Sequence, residues 1–177
     1  MNLYAYAGSN PIAFMDPFGL CRPKDNDPCN LNTGDPNIDD PTIRQSLEDG
    51  YKGAPNDSTY PGYKVEVGGF CTASACTSNA GDLVSAPQGR RPAGAKLQYH
   101  THPNSNMQDP RQSNPNIVFD DNPSPADKRN ANDPSRAGLS SYIVTPHSIH
   151  RLTPDGQGGV TITCFQRWNN STAGCQP

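Results

Sequence analysis

Proline and glycine interrupt this chain along its whole length, and this limits what it can fold into. The 177 residues include 19 prolines and 16 glycines, more than a regular helical or sheet protein usually carries. Only 32% of the residues are apolar. The length suits one domain of ordinary size. We therefore expect one small core flanked by long irregular segments.

The charge of the chain argues against a nucleic-acid partner. The formal net charge is −3 and the isoelectric point is near 5.7. Binding to phosphates draws its affinity from clustered lysine and arginine, which are scattered here. No window approaches 18 apolar residues, and the N-terminus lacks the features of a signal peptide. The sequence thus predicts neither a membrane span nor Sec export.

Short periodic segments predict an α+β fold with about five strands and two short helices. Asp40 and Pro41 begin the first helix, Ile43 and Leu47 share one of its faces, and Gly50 is expected to end it. The second helix begins in "SPADKRNAN", at residue 124. The strands are predicted over residues 62–70, 95–102, 140–145, 147–153 and 159–168.

Six cysteines leave two interpretations open. None of them forms a C-x-x-C pair, which weakens a zinc-ribbon interpretation. Either all six are free thiols, or neighbours in sequence form local disulfides in an oxidising compartment. The second interpretation predicts the pairs Cys21–Cys29, Cys71–Cys76 and Cys164–Cys175.

The stretch "SNPIAFMDPFGL", residues 9–20, separates an aromatic, strand-like start from a polar segment rich in Asp, Asn and Pro. By itself "DPFG" is a good turn. The whole stretch resembles the end of the core of Rhs and YD-repeat proteins. That resemblance implies an autoproteolytic junction, with Asp16 taking part in the cut and Leu20 as the last residue before it. It divides the chain into the end of an Rhs core (1–20), a linker (21–40) and a toxin domain (41–177).

The motifs "YHTHP" and "SPAD" provide side chains for a metal site. His100 and His102 are two apart in a strand, so both imidazoles point to one face. Asp127 can supply a third, oxygen ligand, which leaves a position for water as in catalytic zinc sites. Glu66 is the candidate for moving the proton of that water. Ser124 is the candidate hydrogen-bond donor to the water or to a developing oxyanion.

Each of these residues also has a structural interpretation. Ser124 and Asp127 form a helix N-terminal signature, in which Ser124 caps and Asp127 favours the positive end of the dipole. Glu66 also suits a solvent-facing strand position. His147 and His150 are interpreted as surface or edge residues. Because 21 residues separate His102 from Ser124, three rivals remain for the place of the aspartate ligand, namely Asp109, Asp120 and Asp121.

The order Glu66, His100-Thr101-His102-Pro103, Ser124-Pro125-Ala126-Asp127 resembles the signature of the JAB/JAMM metalloproteases. More narrowly, "VEVGGF", "QYHTHP", "SPAD" and "YIVTP" resemble a JAB-like family at the tips of bacterial polymorphic toxins. The resemblance implies a mixed sheet with few short helices and long loops, a bound zinc ion and peptidase or isopeptidase activity.

Together the two resemblances imply the releasable tip of an Rhs-type antibacterial effector. Its expected partners are a cognate immunity protein, the Rhs shell and the components of a type VI secretion apparatus, which would deliver it into a target cell. Two alternatives stay open. One is a metal-dependent nuclease toxin, and the other is a JAB-like module without catalysis that binds a partner through residues 103–123.

Overall fold

A six-stranded mixed sheet with two helices forms the fold, which confirms the predicted α+β class with few short helices. We describe residues 33–166 of a computed structural model of the chain. The elements are α1 (Pro41–Lys52), β1 (Val67–Cys71), β2 (Asn79–Ala80), β3 (Leu97–Thr101), α2 (Pro125–Ala131), a 3₁₀ turn (Pro134–Arg136), β4 (Ser140–Val144), β5 (Ser148–Pro154) and β6 (Val160–Gln166).

The strand order is β2-β1-β3-β4-β5-β6. All neighbours are antiparallel except β3 and β4, which are parallel. A parallel pair needs a crossover connection. Here the crossover runs from the end of β3 through residues 103–123 and α2, so the N-terminus of α2 is brought back toward the end of β3.

Each predicted strand is present, but its bounds differ from the prediction. The first is the clearest case, since it runs over Val67–Cys71 rather than 62–70. Before it, Lys64 forms only an isolated bridge to Asn56. Glu66 exchanges backbone hydrogen bonds with Gly81 and Asp82. The strand β2 was not predicted, because two residues are too few to show an alternating pattern.

Helix α1 begins as predicted and ends later. The side chain of Asp40 accepts hydrogen bonds from the backbone N–H groups of Thr42 and Ile43, as an N-cap residue does. The predicted stop at Gly50 was wrong, because α1 continues to Lys52. Gly50 instead lies under the ring of Tyr99, where a Cβ would come within 2.7 Å of the Tyr99 hydroxyl. Its small size therefore serves packing.

Apolar side chains cover both faces of the sheet. On one face, α1 packs against the larger cluster, formed by Ile38, Ile43, Leu47, Cys71, Leu97, Tyr99, Tyr142, Val144, Ile149 and Phe165. On the other face, Ala131 of α2 packs against Ile143 and Leu152. The second cluster is small, and the same face also carries the polar side chains of Gln98 and His100.

Residues 33–40, which the sequence assigns to the linker, pack against the sheet. Ile38 is fully buried, and the Asp35 side chain is 1% exposed. Both Asp35 oxygens lie 2.9 Å from the Tyr142 hydroxyl, and Oδ2 accepts a hydrogen bond from Arg151. The folded unit thus includes residues 33–40 as well as the domain predicted to begin at residue 41. The remaining boundaries of the predicted core and linker lie outside the described residues.

The disulfide Cys71–Cys76 is present, which confirms this predicted pair. Cys164 is also disulfide-bonded. Its predicted partner Cys175 and the predicted pair Cys21–Cys29 lie outside residues 33–166, so these two pairings stay predictions.

Candidate metal centre

The two histidines of β3 lie side by side on one face of the sheet, as the strand period predicts. Their Nε2 atoms are 3.2 Å apart and their ring centroids 5.0 Å apart. Thr101 between them points to the opposite face, where it is fully buried and its Oγ1 accepts a hydrogen bond from the N–H of Val67. This bond ties the end of β3 to β1.

Strand pairing brings Glu66 to the same place. The antiparallel register pairs Gly68 with His100, so Glu66, two residues earlier, lies beside His102, two residues later. Glu66 Oε1 is 3.8 Å from His102 Nε2, and the Glu66 side chain is 11% exposed. The interpretation of Glu66 as a solvent-facing residue is therefore wrong. Gly68 leaves space for the side chains of Gln88 and Ala86.

Asp127 reaches the histidines from the first turn of α2. Its Oδ1 lies 3.0 Å from His100 Nε2, and its Oδ2 lies 3.6 Å from His102 Nε2. Oδ2 also accepts a hydrogen bond from the Ser124 N–H, while Ser124 Oγ accepts one from the Asp127 N–H. This is a capping box. The structural and functional interpretations of "SPAD" are thus compatible, because the cap holds Asp127 in the orientation that meets His100.

A hairpin in the long spacer explains how Asp127 reaches the histidines. Asn106 donates to the carbonyl of Phe119, and Phe119 donates to the carbonyl of Met107. Asp109 and Ile117 extend this ladder. We call residues 106–119 the insertion hairpin. Since it folds back on itself, it adds chain length but separates its two ends only slightly.

The three rival aspartates have other surroundings. Asp109 forms a bidentate pair with Arg111. Asp120 lines the cleft over the site, and its Oδ1 accepts hydrogen bonds from Asn122. Asp121 Oδ1 is buried without a hydrogen-bond partner in residues 33–166. Among the four candidates, Asp127 is the one that the structure pairs with both histidines.

Burial and neighbouring charges set the protonation of the site. Burial, and then the charge of His100, lowers the pKa of His102 to about 4. Burial, and then the charge of Asp127, raises the pKa of Glu66 to about 9. Burial acts to raise the pKa of Asp127, but the hydrogen bond and charge of His100 outweigh it and lower that pKa. A neutral imidazole beside an ionised carboxylate is the form that binds metal ions.

The geometry of these side chains fits a metal ion. Ligands about 2.0–2.1 Å from zinc in a tetrahedral arrangement lie roughly 3.3 Å from one another. The two Nε2 atoms are 3.2 Å apart, while Asp127 places Oδ1 3.0 Å from His100 and its other oxygen, Oδ2, 3.6 Å from His102. Glu66, His100 and His102 also offer ligand atoms that all lie within 4.8 Å of one another. The structure therefore contains a buried group of side chains that can bind a metal ion.

We expect the metal-free protein to lose stability as the pH rises from 7 to 9, because of Glu66. Its folded pKa of about 9 lies above its ordinary value of 4.5. The stabilisation from its protonated form is complete below pH 4.5 and is lost as the pH rises to about 9. His102 affects the stability only at lower pH, since its folded pKa of about 4 lies below the ordinary value of 6.5. Its stabilisation is complete above pH 6.5 and is lost as the pH falls to about 4.

Urea unfolding in the presence of a chelator, at several pH values, measures this effect. Because folding takes up one proton on Glu66 in this range, the free energy of unfolding should fall by at most about 1.4 kcal/mol per pH unit. Glu66→Gln should remove the slope, whereas Asp49→Asn, on the exposed side of α1, should retain it. Equal slopes in Glu66→Gln and in the unsubstituted protein would show that Glu66 is not the group involved.

A cleft of about 260 Å³ lies over the histidines. One wall is the loop at residues 83–88, and the other contains Phe119 and Asp120. Ser124 and Asp127 also line it. None of the described residues that line it is a lysine or an arginine. The cleft thus offers carboxylates, amides and small apolar groups to a ligand.

Some features of this region were not visible in the sequence. His150 was predicted to lie at the surface or an edge, and this was wrong, since it is 4% exposed and its Nε2 lies 2.6 Å from Ser148 Oγ. His147 is exposed as predicted. Gln88 lines the cleft, and no motif marked it. Asp16 and Leu20, the predicted junction residues, lie outside the described residues.

Comparisons with protein-family models, with curated proteins and with solved structures return no match. The function is therefore inferred from the site and the sequence motifs. Within residues 33–166, no helix has the length and apolar character needed to cross a membrane.

Proposed function

We propose that this protein is a zinc-dependent peptidase or isopeptidase. The observation that carries this proposal is the convergence of His100, His102 and Asp127, with Glu66 beside them, in the lining of a cleft. His100, His102 and Asp127 would hold the ion. When bound, zinc would act as a Lewis acid and lower the pKa of a coordinated water toward neutrality.

The chain's own residues provide the remaining chemistry of hydrolysis. Glu66 is close enough to His102 to face the same solvent position. A cation held by the neighbouring side chains would favour the ionised form of Glu66, which is the form that accepts a proton. Glu66 would take the proton of the attacking water and return it to the leaving amine as the C–N bond breaks. The Ser124 hydroxyl accepts from the Asp127 N–H, so its own hydrogen is free to stabilise the developing oxyanion.

The lining of the cleft favours a peptide over a nucleic acid. A phosphodiester needs cationic or polar donors to balance its charge, and its binding draws on clustered Lys and Arg. The described lining holds no lysine or arginine, whereas the carboxylates of Glu66, Asp120 and Asp127 lie in it. This counts against the alternative of a metal-dependent nuclease.

We propose that this domain acts as the toxin of an Rhs-type effector. Two resemblances support this. Residues 9–20 resemble the end of an Rhs core, and the motifs of the candidate metal site resemble those of JAB-like domains at toxin tips. A type VI secretion apparatus would deliver it, and a cognate immunity protein would protect the producing cell. The disulfide Cys71–Cys76 and the bonded Cys164 favour action in an oxidising compartment.

Metal content and hydrolysis together test the proposed function. We expect the purified protein to bind about one zinc ion per chain with three protein ligands, measured by mass spectrometry of the metal, and to cleave members of a fluorogenic peptide library. His100→Ala and His102→Ala should each weaken zinc binding more than about 100-fold, since partners outside the ligand shell alone are worth about 10–100-fold. Both variants should lose hydrolysis and toxicity.

His147→Ala is the matched control, because this histidine is exposed and outside the site. It should keep metal, hydrolysis and toxicity. Toxicity that survives in both His100→Ala and His102→Ala would refute the enzyme proposal. A protein that binds no zinc would favour the inactive binding module, and degradation of plasmid or total RNA would favour the nuclease.

A further inference from the structure

Two carboxamide side chains flank the candidate metal centre without hydrogen bonds to the described part of the chain. Gln88 and Asn130 both line the cleft, and both also line an adjoining cavity of about 20 Å³. His100 and Asp127 border both spaces as well. The two amides therefore lie next to the residues that would hold the metal, where the cleft meets the smaller cavity.

The Gln88 side chain is unusual because it is partly buried and its carbonyl oxygen still has no hydrogen-bond partner in the described residues. Its Oε1 is buried and accepts no hydrogen bond within residues 33–166. A buried acceptor left without a partner is costly, so such groups in native proteins call for an explanation. The cavity of about 20 Å³ has room for about one water molecule. Because this oxygen is closed to solvent, an N–H group of a ligand in the cleft would satisfy it once the Gln88 side chain turns toward the cleft.

The backbone holds Gln88 in this position. The Asn79 side chain donates to the carbonyl of Gln88 and also to that of Gly68, which fixes the loop over β1. At Gly68, opposite His100, a Cβ would come within 2.8 Å of Gln88 Nε2. The absence of a side chain at residue 68 thus lets the amide lie close above β1, at the residue that pairs with His100.

We propose that Gln88 and Asn130 bind a peptide group of the substrate next to the bond that is cleaved. This rests on the proposed peptidase function, which it extends to the way the substrate is held. A carboxamide offers an N–H donor and a C=O acceptor, which complement the C=O and N–H of a peptide unit. Both side chains are neutral and the described lining adds no lysine or arginine, so a neutral polar group is the ligand that they suit.

Nuclear magnetic resonance of the metal-free, ¹⁵N-labelled full chain tests this without requiring activity. The side-chain amide signals of Gln88 and Asn130 are assigned by their loss in Gln88→Leu and Asn130→Leu. The probe is acetyl-Ala-Ala-Ala-amide. We expect it to shift both signals in a saturable way and to leave that of Gln157, in the exposed turn before β6, unchanged. An oligomer of N-methylglycine, which lacks N–H groups, should not shift them.

Gln88→Leu should weaken binding of the alanine peptide about 5- to 10-fold, as expected for one neutral hydrogen bond. In the hydrolysis assay it should lower kcat/KM by a similar factor, with Gln157→Leu as the control. Missing shifts, or equal shifts with the N-methylated oligomer, would overturn the proposal. Shifts in a protein that neither binds zinc nor hydrolyses peptides would support the subsite and refute the peptidase.

Discussion

Glu66→Gln is expected to reduce peptide hydrolysis about 10²- to 10⁴-fold, the range typical of a lost general base, while the metal stays bound. Glutamine keeps the size of the side chain but cannot accept the proton of the attacking water. Glu66 lies 3.8 Å from the nearest histidine nitrogen, whereas Asp127 lies 3.0 Å from His100. The closer carboxylate is the better candidate for a ligand, and the farther one for a base.

Asp127→Asn is the comparison that separates the two roles. It removes a charged oxygen next to both histidines, so zinc affinity and hydrolysis should both fall. Glu48→Gln serves as a control for the substitution itself, since Glu48 lies on α1 and pairs with Lys52. Zinc content and kcat/KM would be measured for all three. If Glu66→Gln loses zinc as Asp127→Asn does, Glu66 is a ligand and the assigned roles are wrong.

Asp35→Ala is expected to destabilise the fold by roughly 3 kcal/mol, because it removes a buried charged acceptor of several hydrogen bonds and leaves the Tyr142 hydroxyl without this partner. The carboxylate is 1% exposed and accepts hydrogen bonds from the Tyr142 hydroxyl, from Arg151 and from the N–H of Asn37. Its loss leaves the Tyr142 hydroxyl without this acceptor and detaches residues 33–38 from the sheet. Urea unfolding followed by circular dichroism measures the change.

Asp57→Ala provides a matched control for this experiment. Asp57 also accepts two backbone hydrogen bonds, from Thr59 and Tyr60, but it lies in an exposed turn. Its loss should cost about 1 kcal/mol. A cost for Asp35→Ala no greater than that for Asp57→Ala would mean that residues 33–38 contribute little to the fold.

Local rules in the sequence determined much of the candidate site. The two-residue period of a strand places His100 and His102 on one face, and this depends only on backbone geometry. The caps at Asp40 and Ser124 depend on side chains that bond to backbone groups two or three residues away. Interactions of this range act within a few residues, so the sequence reveals them directly.

Only the tertiary structure decided which carboxylates meet the histidines. Asp127, and not Asp109, Asp120 or Asp121, pairs with both histidines, because the insertion hairpin closes on itself and returns the chain to β3. The burial of His150 and the place of Gln88 likewise result from packing between segments far apart in sequence. Such contacts depend on how loops close and how elements pack against one another, and no local period or cap encodes that.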